Sequence, residues 1–165
     1  MKKKKIIIAL IMLVLIGLDQ FFKYLASVYL KPVSNVTLIN NIFRLNYVQN
    51  TGAAFGLFKN NTVVLTVFTS AVIIFCLYFI FIKPFDKPIY NIALCMIVSG
   101  GVGNLIDRVF RSYVIDYIEA MFIDFPVFNF ADILVTVSSF LLAFYLIYDT
   151  LKDMKNQKIG DAADE

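Results

Sequence analysis

Apolar positions along this chain gather in four long blocks. The first covers about residues 6–30 and is interrupted by Asp19 and Lys23. The second, 60–82, carries no charge in 23 residues; the third, 88–106, none in 19; the fourth, 133–148, none in 16. A helix that crosses a bilayer needs ~20 mostly apolar residues. The fourth block reaches that length when it begins near Phe128, which draws Asp132 into its first turn. The pattern therefore predicts spans at about 6–30, 60–82, 88–107 and 128–150. Loops at 31–59 and 108–127 and a tail at 151–165 complete a single membrane-embedded domain over 1–165.

Within the two longer loops the period changes. Residues 36–39 and 43–48 mix β-branched and aromatic side chains around Asn40 and Asn41, a turn signal, and so predict a short hairpin. Residues 114–118 alternate around Asp116 and predict a further short strand. The expected fold class is membrane α-helical: four transmembrane helices with a small extracytoplasmic β element.

Composition reinforces the pattern. The chain has 165 residues, 60% of them hydrophobic, with a mean hydropathy of +0.78. A water-soluble fold this small has too little interior to hide so much apolar surface. Charge then orients the bundle. Lys2–Lys5, Lys83, Lys87, Lys152, Lys155 and Lys158 all fall on one side of a four-span arrangement. The positive-inside rule makes that side cytoplasmic, with both termini on it. Four lysines before an apolar run also resemble a cleaved signal peptide. No small-x-small cleavage site follows residues 6–18, however, and the apolar pattern resumes after Lys23, so the first block is read as a retained span. Because the lysines do not form a folded basic face, no nucleic-acid partner is expected.

The chain has no histidine and two cysteines, Cys76 and Cys95, each inside an apolar block. That removes the commonest base and metal ligand and every Ser-His or Cys-His arrangement. No metal or cofactor is expected.

Charges in hydrocarbon cost at least ~2.5–3.5 kcal/mol, so each asks for a reason. Here they cluster at one level. Asp19 and Lys23 stand one turn apart on the first helix and can neutralise each other as a structural ion pair. Ser27, a further turn along, raises a Ser-Lys peptidase, but a carboxylate partner holds Lys23 charged and unfit as a base. Asn104, Asp107 and Arg108 close the third block. Asn104 and Arg108 share a face, while Asp107 points elsewhere and needs its own partner. Gly100 and Gly103 let a neighbouring helix or a substrate come close. Asn129 and Asp132 open the fourth helix, where capping is the plainer explanation. Asp116 on the preceding connection changes that reading. Two carboxylates at hydrogen-bonding distance share a proton, so one can act as base on water and the other as acid. Glu119 and Asp124 compete for the role but look like solvated loop charges. Asn50 to Gly56, with Gly52 at a small-residue turn, offers either a backbone approach for a bound chain or an ordinary turn.

Taken together, Asp19-Gln-Phe-Phe-Lys23, Asn50-Thr-Gly-Ala-Ala-Phe55, Gly100-Gly-Val-Gly-Asn104 with Asp107-Arg108, Val114-Ile-Asp116 and Phe128-Asn-Phe-Ala-Asp132 resemble the lipoprotein signal peptidases, also called signal peptidase II. The resemblance implies that Asp116 and Asp132 are a catalytic dyad. It implies that Asn50, Gly52, Asn104, Arg108 and Asn129 line or support the substrate site, and that Asp107, Asp19 and Lys23 contribute to its architecture. The implied substrate is a bacterial diacylglyceryl prolipoprotein, cut just before its lipidated cysteine at the outer face of the cytoplasmic membrane. The other implied partners are membrane lipid and the cyclic peptide inhibitor globomycin. One chain can hold the whole site, so a monomer is expected.

Two other classes compete. A transporter subunit would carry polar residues through the bilayer depth, whereas here they stop at one level. A docking or assembly factor would use the β element as its surface; it predicts no proteolysis to lose.

Overall fold

A computed structural model of the chain describes residues 2–52 and 61–161. Helix α1 (Lys2–Leu25) passes directly into a π-helical turn, Ala26–Leu30, followed by strands β1 (Asn35–Ile39) and β2 (Phe43–Asn50). Helices α2 (Thr62–Phe81) and α3 (Pro88–Arg111), strand β3 (Val114–Ala120) and helix α4 (Phe130–Asp161) complete the chain. Four helices are long and apolar enough to cross a membrane.

Helix α3 is the centre of the bundle, packed by α1, α2 and α4. Its small residues let it serve three neighbours. A side chain on Gly100 would come within 2.8 Å of Val135 Cγ2 and collide with the Ala131 carbonyl; one on Gly103 would meet Asp19 Cγ at 2.9 Å. Glycine is therefore required at both crossings, and each brings another element to the level where the polar residues lie. One apolar core forms around Met12, Ile73, Ile80, Leu94 and Val98 from α1, α2 and α3. The helices' other faces stay apolar and exposed, as with Phe68, Phe75, Phe140 and Phe144, which suits lipid contact.

The sheet has the order β1-β2-β3, all antiparallel. The hairpin turns through Asn41, whose φ of 59° is a conformation that Asn tolerates. The π-helical turn supports the sheet from below: Ala26 and Leu30 pack with Ile115 and Tyr117 of β3. The strands expected around 36–39, 43–48 and 114–118 are thus all present as one three-stranded sheet.

The two ends of the bundle differ in chemistry. At one end, Lys5 at the start of α1 donates to the Phe81 carbonyl at the end of α2 (2.5 Å), and Lys87 pairs with Asp149 of α4 at 2.5 Å. The opposite end, beneath the sheet, holds the carboxylates.

Candidate active site

The site is built from the start of α4 upward. The first N–H groups of a helix have no partner within it and must find one elsewhere. Asn129 precedes α4, and its Oδ1 accepts from the Asp132 N–H at 3.0 Å, while its own N–H donates to Asp132 Oδ2 at 3.1 Å. This reciprocal pair is a capping box with Asp in the third position. The Phe130 N–H donates to the Tyr117 hydroxyl at 3.2 Å, and the Ala131 N–H to Asp19 Oδ1 at 3.0 Å. Capping, the plainer reading of Asn129 and Asp132, is therefore real. It also leaves Asp132 Oδ1 facing inward.

That oxygen accepts from Asn104 Nδ2 at 2.8 Å. Asn104 Oδ1 in turn accepts from Lys23 Nζ at 2.8 Å and from Asn129 Nδ2 at 3.1 Å. An ammonium can only donate, so Lys23 dictates which way the Asn104 amide faces and leaves its Nδ2 for Asp132. Lys23 sits between Asp19 (2.9 Å) and Asp107 (3.1 Å), with all three side chains fully buried. Arg111 binds the far oxygen of Asp107 at 2.5 Å, and the Ile115 N–H donates to Asp107 at 3.1 Å. Two cations thus match two carboxylates, which is what makes such burial tolerable. The pair anticipated between Asp19 and Lys23 is part of a larger hub, and Asp107 finds the partner it needed there.

Asp116 enters from β3, where it is 2% exposed. Its Oδ1 accepts from Asn129 Nδ2 at 2.6 Å and its Oδ2 from Asn50 Nδ2 at 2.9 Å. The Asn50 amide is itself fixed by the Gly52 N–H, which donates to Asn50 Oδ1 at 2.9 Å. Burial pushes the Asp116 carboxyl up to about 7, with repulsion from Asp132 as the next cause, against the donated bonds of Asn50 and Asn129. Asn129 joins the two carboxylates, through its backbone N–H to Asp132 and its side chain to Asp116. Arg108, half-buried, lies within electrostatic reach of Asp132, Asp116 and Asp107. Its guanidinium makes no hydrogen bond or ion pair among the described residues.

All ten residues singled out from the sequence therefore lie in one connected region. The rest of the Asn50–Phe55 motif, residues 53–55, lies outside the described residues. Sequence reasoning missed Tyr117, Arg111 and Gln20, whose Nε2 donates to Asp19 at 3.1 Å and to the Gly103 carbonyl at 3.0 Å. Arg111 had a signal, its four-residue spacing from Asp107. Tyr117 acts through a contact 13 residues away, and Gln20 joins its neighbour Asp19 to the remote Gly103 carbonyl. Glu119, read as a solvated loop charge, instead lies in β3, paired with Arg44 by two bonds of 2.7 and 2.8 Å. Arg44 holds its carboxyl below the usual range. Asp124 is exposed, and Ser27 donates to the Lys23 carbonyl at 2.8 Å. Among the described residues no His, Cys, Asp or Glu trio is arranged to hold a metal ion.

Residues 11–148 match the family model described as signal peptidase (SPase) II. A lipoprotein signal peptidase of Caldanaerobacter subterraneus subsp. tengcongensis is 44% identical over 132 residues, which cover 79% of this chain and 89% of the relative. One from Clostridioides difficile is 39% identical over 139 residues, 84% of this chain and 93% of that protein. Among solved structures, a bacterial membrane enzyme determined by the in meso method at 2.3 Å resolution superposes with a TM-score of 0.79. The two are 29% identical, and the match covers 90% of each chain.

Proposed function

Since the chain belongs to the signal peptidase II family, an aspartic-type peptidase that removes signal peptides from prolipoproteins, we propose that Asp116 and Asp132 are its catalytic pair. The observation that carries this assignment is Asn129, which binds both carboxylates at the start of α4. In the free enzyme the pair shares one proton and titrates as a unit. That proton is assigned to Asp116, which is 2% exposed and raised to about 7. The charge is assigned to Asp132 on its place in the first turn of α4, where the helix N-terminus favours an anion. Asp132 takes a proton from a water that attacks the scissile carbonyl. Asp116 donates its proton to the carbonyl oxygen. As the resulting diol collapses and the C–N bond breaks, Asp132 passes its proton to the leaving amine and Asp116 recovers one from a diol hydroxyl, which restores the resting state. Arg108 is free to engage the substrate. Asn50, Gly52, Asn104 and Asn129 hold the two carboxylates, while Asp19, Lys23 and Asp107 fix Asn104.

The substrate is a prolipoprotein whose cysteine bears a diacylglyceryl group, cut just before that cysteine. Its acyl chains stay in the bilayer while the peptide meets carboxylates at the helix ends. The nine lysines of the opposite end mark the cytoplasmic side, so the site faces outward from the bacterial cytoplasmic membrane. A monomer contains the complete site, and globomycin competes for it.

The test is cleavage of a diacylglyceryl-modified prolipoprotein by purified wild-type, Asp116→Asn and Asp132→Asn proteins in detergent. Wild type cuts before the modified cysteine; both variants fold and lose ~10²–10⁴ of the rate. Near-normal cleavage by either variant would refute the assignment.

A further inference from the structure

At the lysine-bearing end of the bundle, away from the carboxylates, lies a cleft of about 550 Å³. That volume is in the ~300–1,000 Å³ range of small-ligand sites. Helices α1 and α2 each pack against α3, and the cleft opens where they part. Its walls are apolar: Ile7, Ile8, Ile11 and Leu15 of α1 face Ile92 and Met96 of α3. From Lys4 to Leu15 the α1 side runs for about 16 Å at the rise of an α-helix. That is about the depth of one leaflet, half of the ~30 Å hydrocarbon core.

The mouth is charged and built. Lys4 and Lys5 line it with Asp86, and Lys83 stands exposed in the same connection. The wall between Pro84 and Pro88 is held in place by Asn91, whose Nδ2 donates to the Phe85 carbonyl at 2.7 Å and whose Oδ1 accepts from the Phe85 N–H at 3.3 Å. Phe85 stacks on Phe79, with ring centroids 5.3 Å apart. One donor of Lys5 is spent on the Phe81 carbonyl, but an ammonium has three, and Lys4 has no hydrogen-bond partner among the described residues.

We propose that this cleft binds one anionic phospholipid, its phosphate against Lys4 and Lys5 and one acyl chain along the α1–α3 groove. An apolar groove of one-leaflet depth, open to the bilayer side of α1 and crowned by lysines, matches both parts of that molecule. Asp86 favours a headgroup that offers hydroxyl donors, as glycerol does.

Delipidated enzyme in detergent is titrated with phosphatidylglycerol or phosphatidylcholine of equal chain length, and bound lipid is counted by native mass spectrometry. Wild type binds phosphatidylglycerol about tenfold or more tightly than phosphatidylcholine. A basic side chain near an anionic lipid surface is worth about a fivefold change in affinity. Lys4→Gln with Lys5→Gln therefore weakens phosphatidylglycerol about 25-fold and phosphatidylcholine, whose choline cation offsets its phosphate, much less, so that the preference is lost. Ile11→Trp, at an exposed position of the groove, weakens both lipids and keeps the fold, as its melting temperature checks. Equal binding of the two lipids by wild type would overturn the proposal. So would an intact preference in the lysine variant, or unchanged binding by Ile11→Trp. Displacement of the lipid by glycerol phosphate at equal concentration would mean a site for a free anion and would equally overturn it.

Discussion

Replacing Asp116 by Asn tests the electrostatics of the site without substrate. In the folded protein this carboxyl is raised from its ordinary 3.8 to about 7, first by burial and then by Asp132. A group raised on folding stabilises the fold fully below its unfolded value. That contribution drains away as pH rises through the folded value. The window here is about pH 4 to 7. A shift of about 3 units at 1.36 kcal/mol each amounts to ~4 kcal/mol across it. The Asn variant cannot ionise, so its stability lacks this slope. It carries a different, pH-independent cost. Both Asp116 oxygens accept from amide groups, of Asn50 and Asn129, and an Asn NH₂ there faces one of those donors, a mismatch of ~1–3 kcal/mol. The readout is therefore the change in the gap between variant and wild type, not the gap itself. Thermal unfolding in detergent, followed by circular dichroism from pH 4.5 to 8.5, should show the variant gaining on wild type by about 10 °C toward the alkaline end. Parallel melting profiles across that range would refute the buried, raised Asp116.

Three further outcomes follow from the same geometry. The pH dependence of kcat/KM for prolipoprotein cleavage should fall on the alkaline side with a midpoint near 7, as Asp116 loses its proton; a flat profile to pH 9 would exclude it as the acid. Lys23→Met strands Asp19 and Asp107 without their shared cation and should cost ~3–5 kcal/mol in chemical unfolding; adding Asp19→Asn and Asp107→Asn should recover part of that loss, and no recovery would argue against the hub. Gly100→Ala pushes against Val135 and the Ala131 carbonyl and should destabilise by ~1–3 kcal/mol. Because the displaced backbone adjoins Asp132, kcat should fall more than KM rises in cleavage assays.

The large features of this molecule are written locally, and so could be read. Four apolar blocks make four helices because each satisfies its own backbone. The hairpin was legible because β-branched residues flank Asn40 and Asn41. Asp132 stands out because a carboxylate in the first turn of an apolar helix requires compensation, and Asp116 because it is a second carboxylate on the connection leading into that turn. What stayed hidden depends on register and on contacts between remote elements. Glu119 looked solvated until the pairing of β2 and β3 set it opposite Arg44. Lys23 looked like half of a pair because Asp107 lies 84 positions further along, and its hold on Asn104 leaves no local trace. Tyr117 caps α4 through a hydroxyl whose target cannot be read from spacing.

The first turn of α4 is tied at once to β3 through Tyr117, to α1 through Asp19 and to α3 through Asn104. Such a turn cannot shift alone: any displacement of it breaks bonds to three separate elements. The carboxylates therefore serve as a fixed template, and a substrate peptide has to be bent to reach them. In the proposed reaction, a peptide too stiff to yield at its cut site would then be cut slowly however well its lipid is accommodated.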